Sequence, residues 1–216
     1  MEENFAALDA WFDRDEAMRL FRPSEDDWNM NQVLEHVMLT NHYLLIIIRR
    51  GTEKCLRKAA NSHNRSADGF PVHECAVSVH EDDVPVHEGT VSLREDAASV
   101  NAMAGHESDL DRLEIIGRRG TFAWDCPPHM RPSGEMPMDE IRSLLGRQRE
   151  ECLEIPAKLS RRRGALHRIK MSVNNCGRLD LYQWLYFLTM HAARHLDRLR
   201  ELESLYRAEH EDGAQR

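Results

Sequence analysis

His191 and His195 stand four residues apart in the run Leu181-Tyr182-Gln183-Trp184-Leu185-Tyr186-Phe187-Leu188-Thr189-Met190-His191-Ala192-Ala193-Arg194-His195-Leu196. At 100° per residue the two imidazoles lie about 40° apart on one helix face. Trp184, Leu188, Leu181 and Leu199 share that face. Both histidines therefore belong to an apolar, buried stripe. Burying two imidazoles without partners is costly, and a shared metal ion removes the cost. Neutral imidazole suits zinc, nickel, iron and copper. An i, i+4 pair is also the spacing of the H-E-x-x-H enzymes. Here His191 is followed by Ala192-Ala193-Arg194, so the glutamate base of that motif is missing and a protease of that kind is not expected. Taken alone, an H-x-x-x-H spacing is common and often only structural.

Two ligands on one helix hold a metal poorly. A third must come from another element, and His36 is the best candidate, at the edge of an apolar stripe with Thr40, Tyr43 and Ile47. Three histidines leave coordination positions open, as in catalytic rather than structural sites. Thr40 and Tyr43 are candidate helpers. Arg194, about 60° from His191, is read as facing solvent.

These side chains need helices to hold them. Phe5, Leu8, Phe12 and Leu20 predict a first helix over 4–20, ended by Pro23. Asn29 and Gln32 form a capping-box pair, predicting a helix from 29 to about 50. Its polar face takes Asn31, Glu35, His42 and Arg49. Looser spacing predicts an extra helix over 95–117. Ile141, Leu144, Leu145, Gln148, Cys152, Ile155 and Leu159 predict an amphipathic helix over 138–159, with Pro156 near its end. Gln148 is read as packing at a helix edge. Residues 160–178 read as a connection. The last helix starts near Asp180, with Gln183 in the capping-box position, and runs to about Arg207.

Between the second helix and the extra one the pattern breaks. The motif V-H-E-x-x-V-[SP] occurs three times at a period of seven, beginning at Val72, Val79 and Val86. Pro71, Pro85 and Gly89 oppose a coiled coil, and an odd period in an extended chain sends successive histidines to opposite faces. The expectation is a mobile insertion over 61–94, with a metal-binding lid as the alternative. Cys126 and His129 have the C-x-x-H spacing of half a zinc site, with no second pair beside them.

A chain of 216 residues can bury one substantial core, here a single domain over 1–210 with a frayed tail at 211–216. Net charge is −8, from 29 basic and 37 acidic side chains, which argues against a nucleic-acid partner despite Arg161-Arg162-Arg163. No apolar run is long enough for a membrane span. The acidic start, Met1-Glu2-Glu3-Asn4, is not that of a signal peptide. Five scattered cysteines without a CxxC pair point to reduced thiols and a cytoplasmic location.

Trp28-Asn29-Met30-Asn31-Gln32-Val33-Leu34-Glu35-His36, the Leu181–Leu185 run leading to His191 and His195, and Pro128-His129-Met130-Arg131-Pro132-Ser133-Gly134 together resemble segments of the DinB/YfiT-like superfamily of metal-dependent enzymes. The likeness covers 4–50 and 122–206 but not 61–94. It implies an all-α, up-down-down-up four-helix bundle of helices 4–20, 29–50, 138–159 and 179–207, with the long inserted loop and the extra helix between the second and third. It implies one divalent metal, nickel or zinc, on His36, His191 and His195, a small-molecule substrate and a homodimer. Members include S-transferases and an isomerase that use low-molecular-weight bacterial thiols, and many have no assigned activity. A thiol-dependent S-transferase, a metal-dependent hydrolase or isomerase, and a non-catalytic helical binding module all remain open, and no catalytic residue is assigned.

Overall fold

The computed structural model describes residues 1–65, 110–121, 125–159, 163–171 and 176–214. The V-H-E repeat, the 66–94 part of the insertion and the first part of the 95–117 helix lie outside the described residues. Met1–Leu56 and Ser108–Arg216 make one compact unit. Of the other, Arg57–Glu107, only the first residues are described.

The described residues are mostly helical. They comprise α1 (Glu2–Asp9), α2 (Glu16–Leu20), α3 (Met30–Arg65), α4 (Glu114–Gly117), α5 (Met138–Lys158) and α6 (Leu181–Ala214), with a hairpin of β1 (Arg168–Met171) and β2 (Gly177–Asp180). No helix among them is long and apolar enough to cross a membrane. Phe5 and Leu8 of α1, Val33, Leu34, Val37, Leu45 and Ile48 of α3, Ile141, Leu145 and Ile155 of α5, and Leu185, Leu188, Leu196 and Leu199 of α6 form one buried core. Each such side chain contributes about 1.5–3 kcal/mol on leaving water.

Three expectations are corrected. The second helix does not end near 50: α3 runs through Gly51 to Arg65, into the insertion expected from 61. The first helix is broken: after α1 the chain tightens into a 3-10 turn over Ala10–Asp13, goes extended at Arg14 and resumes as α2. The break turns Trp11 into the core, with the Arg14 guanidinium 5.0 Å over its ring. Residues 160–178 are more than a connection, because Arg168–Met171 pairs antiparallel with Gly177–Asp180. The alternation is too short to read, but Met171 and Leu179 are buried by it. Gly177 takes the left-handed conformation, φ +72°, at the start of β2.

The two site-bearing helices begin alike. The Gln32 N–H donates to Asn29 Oδ1 at 2.9 Å, and the Asn29 N–H donates to Gln32 Oε1 at 3.2 Å. The same reciprocal pair joins Asp180 and Gln183, at 2.9 and 3.0 Å. Both are the capping boxes expected from sequence, and such a cap stabilises a helix start by about 1 kcal/mol. Gly51 lets α3 and α6 approach closely: a Cβ there would come within 2.6 Å of the Leu181 side chain and 3.3 Å of Ile169 in β1. Gln148 does pack between helices, its Nε2 donating to the Met38 carbonyl at 3.0 Å. Pro156 sits inside α5, which continues to Lys158.

Candidate metal centre

His36 enters the site in the second turn of α3, and His191 and His195 one turn apart in α6. His36 and His191 are buried, while His195 keeps a partly open face. The three ligand nitrogens lie within 4.8 Å of one another, and no other group of three or more metal-ligating side chains converges among the described residues. Nε2 of His191 and Nε2 of His195 are 3.1 Å apart. Nitrogens bound tetrahedrally to zinc are about 3.3 Å apart, so this pair is already at ligand spacing and His36 needs a shift of roughly 1–2 Å.

His36 is oriented from behind. Its Nδ1–H donates to the Met130 carbonyl at 2.8 Å, which fixes the tautomer with Nε2 as the lone-pair nitrogen. Trp28 packs against the ring, centroids 5.0 Å apart. Phe187 lies nearly parallel to His191 at 6.4 Å. The Met130 carbonyl is held by a contact that the sequence reading missed. Glu35, placed on the polar face by periodicity, is buried. Its carboxylate accepts from the Ser133 N–H at 2.9 Å, the Ser133 hydroxyl at 2.8 Å and the Gly134 N–H at 2.8 Å. The loop before α5 is thereby tied to α3 one residue from His36. The only sequence signal was a carboxylate beside the candidate ligand.

Gly134 makes this docking geometrically feasible. Its φ is +77°, and a Cβ there would lie 3.2 Å from Gln32 Nε2 in the α3 cap. Gly134→Ala should therefore cost about 1–2 kcal/mol, from left-handed strain and a displaced cap. Urea denaturation checks this; an unchanged midpoint would show that the turn relaxes freely.

The other candidates divide. Cys126 and His129 have separate neighbours. The Cys126 thiol is 3.7 Å from His36 Nδ1, on the side away from the ligand nitrogen, while the His129 ring packs on Tyr43 at 4.5 Å. Burial pushes the Cys126 thiol up. His42 is exposed, as expected. Arg194 is not simply in solvent: it is partly buried, lines the cavity beside the imidazoles, and donates to the Arg118 carbonyl at 2.5 Å.

That cavity has a volume of about 970 Å³. From His36 and His191 the lining runs along α3 to Thr40, Leu44 and Ile47 and back along α6 to Phe187 and Trp184, an arm toward β1, where Gly51 meets Ile169; the other way along α6 it runs to Arg194 and to Arg198, which binds Asp27. The imidazoles lie between them.

Burial holds the His36 imidazole below its ordinary value of 6.5, against the opposing pull of the Met130 carbonyl. Burial first, then neighbouring imidazoles and Arg194, pushes His191 and His195 well below it. Three neutral imidazoles can accept a metal near neutral pH without first losing protons. The stability sign follows. Below pH 6.5 the unfolded chain takes up protons that the folded site refuses, so metal-free protein should lose stability as pH falls from about 6.5 to 5. Asp9 and Glu154, whose carboxyls are held low by Arg142 and Lys158, lose their contribution only at more acid pH. Denaturant midpoints between pH 8 and 5 check this, and a flat profile would contradict it.

A model of the DinB superfamily matches residues 2–198. The chain belongs to the DinB superfamily. Searches of curated proteins and of solved structures return no match. For a DinB-superfamily chain, a buried histidine triad that could hold a metal ion fits a family often dependent on metals. An all-imidazole donor set with Nε2 presented inward fits a borderline divalent ion, and His36, His191 and His195 would hold it.

Proposed function

We propose that this DinB-superfamily protein is a divalent-metal-dependent enzyme, a thiol-dependent S-transferase acting on a small electrophile. The reading takes its helices as an up-down-down-up four-helix bundle, and extends to a homodimer in the cytoplasm. The observation that carries it is the convergence of three imidazoles on the wall of a 970 Å³ cavity. Three protein ligands leave open positions, and this cavity is the size of a small-molecule site.

A bound nickel or zinc ion would supply Lewis acidity and favour thiolate over thiol. The chain's own residues do the rest. Met130 and Glu35 keep the His36 nitrogen aimed inward. Leu44, Ile47 and Phe187 give one arm an apolar wall for the body of a substrate. Burial first, then His36, Arg194 and Arg119, lowers proton affinity at His195.

Protein purified without chelators should contain about one divalent ion per chain, by metal analysis. A panel of low-molecular-weight thiols with a chromogenic electrophile should then show thiol-dependent turnover. Thiol-independent hydrolysis would move the assignment to a hydrolase. A loaded protein inert in every assay would leave a binding module.

A further inference from the structure

Lys170 is the one charged side chain at the hairpin end of the cavity among the described lining residues. It projects from β1, and no hydrogen bond or ion pair engages its ammonium among the described residues. The acidic lining residues lie elsewhere. Asp27 is bound by Arg198, beyond His195, and Asp26 is its neighbour. Asp125 adjoins Cys126, which lies against His36. Leu44, Ile47, Met171 and Phe187 give the lining an apolar share, and His129, whose ring packs on Tyr43, lines it too. Two donors in that lining, the Thr40 hydroxyl and the Trp184 indole N–H, are buried with no hydrogen-bond partner among the described residues. The arm thus has a cationic rim, an apolar body with two idle donors, and the histidine cluster at its inner end.

Its length follows from register. The hairpin leads directly into Leu181, ten residues before His191, which is about 15 Å of helix. Lys170 lies opposite Arg178, three residues before Leu181.

We propose that this arm is the binding site of an amphipathic monocarboxylate, its carboxylate held by Lys170 and its aryl or alkyl body lying along Leu44, Ile47, Met171 and Phe187, so that the opposite end of the molecule reaches the three imidazoles. A single ammonium at the rim offers a carboxylate one charge-assisted hydrogen bond. The proposal deepens the enzymatic reading by naming the class of its substrate, and rests on that reading for the reacting end.

The test uses 4-phenylbutyrate and octanoate, with 4-phenylbutyramide and octanol as uncharged counterparts, titrated calorimetrically into the full-length protein, both metal-loaded and metal-free. Both carboxylates should bind the metal-free protein at least about five-fold more tightly than their uncharged counterparts. Lys170→Ala should remove that preference, Lys170→Glu should reverse it, and Lys170→Arg should keep it. Lys170 is exposed, so these variants should fold normally. Equal affinity of Lys170→Glu and wild type for the carboxylates would overturn the proposal, as would binding seen only with metal present, which would mean that the carboxylate sits on the ion. Lys170-dependent binding in a protein that never takes up metal would sink the metalloenzyme reading and leave the carboxylate site standing.

Discussion

His191→Ala should weaken divalent-metal binding by about 100-fold or more, the largest functional effect expected of any single substitution in this protein. Loss of a supporting outer contact alone typically costs 10–100-fold, and His191 is a candidate ligand itself. It is also the most enclosed of the three, stacked near Phe187 and 3.1 Å from the Nε2 of His195. No neighbour can replace it, because the described residues offer no fourth histidine, cysteine or carboxylate in the cluster. Wild-type protein should gain about 4 kcal/mol of stability when free metal reaches a thousand times its dissociation constant. At the same free metal a variant weakened 100-fold should gain only about 1.4 kcal/mol. Its own metal-free stability should fall by no more than about 2 kcal/mol, because the vacated space is offset by the loss of a desolvated imidazole. Metal titration with denaturant midpoints checks both halves. Wild-type affinity in a folded His191→Ala protein would remove the histidine cluster as the binding site.

Glu35→Ala should be the most damaging substitution to stability, at about 3–5 kcal/mol, and should also lower metal affinity by about 10–100-fold. The carboxylate accepts three hydrogen bonds from two consecutive residues, and bonds to a charged group are worth about 1.5–3 kcal/mol each, though not additively. Removing it frees three donors on the exposed loop residues Ser133 and Gly134 and leaves a gap where the buried carboxylate sat on α3. The same loop carries the Met130 carbonyl, so His36 loses the contact that fixes its tautomer. Glu35→Gln retains one acceptor oxygen and should fall between. The two readouts discriminate: a destabilised variant with unchanged metal affinity would mean that the loop does not position His36.

What the sequence disclosed about the site was what local periodicity and cap chemistry can carry. The 3.6 period places His191 and His195 on one buried stripe, and the Asn29–Gln32 and Asp180–Gln183 pairs mark the two helix starts because each box is closed within four residues. Contacts made across long sequence separations stayed hidden. Glu35 looks polar by phase, and only the loop at Ser133 and Gly134, nearly a hundred residues away, makes its burial favourable. Arg194 depends on Arg118 and the cavity wall, which no periodicity reports. The first helix was over-extended because its apolar spacing survives the break at Arg14, where the chain bends to bury Trp11. The hairpin escaped notice because each strand has only four residues, too few for a period of two to stand out.

The matching caps give both helices a fixed origin for counting. His36 is seven residues, two turns, past Asn29; His191 is eleven residues, three turns, past Asp180. Each ligand's azimuth is therefore metered from its own helix start. A residue inserted between cap and histidine would swing the imidazole by about 100° out of the cluster, whereas added chain upstream of either cap leaves the phase untouched. The stretch between the end of α3 and α4 lies after one gauge and before the other. Evolution could lengthen it, even by tandem seven-residue copies, without detuning the three nitrogens.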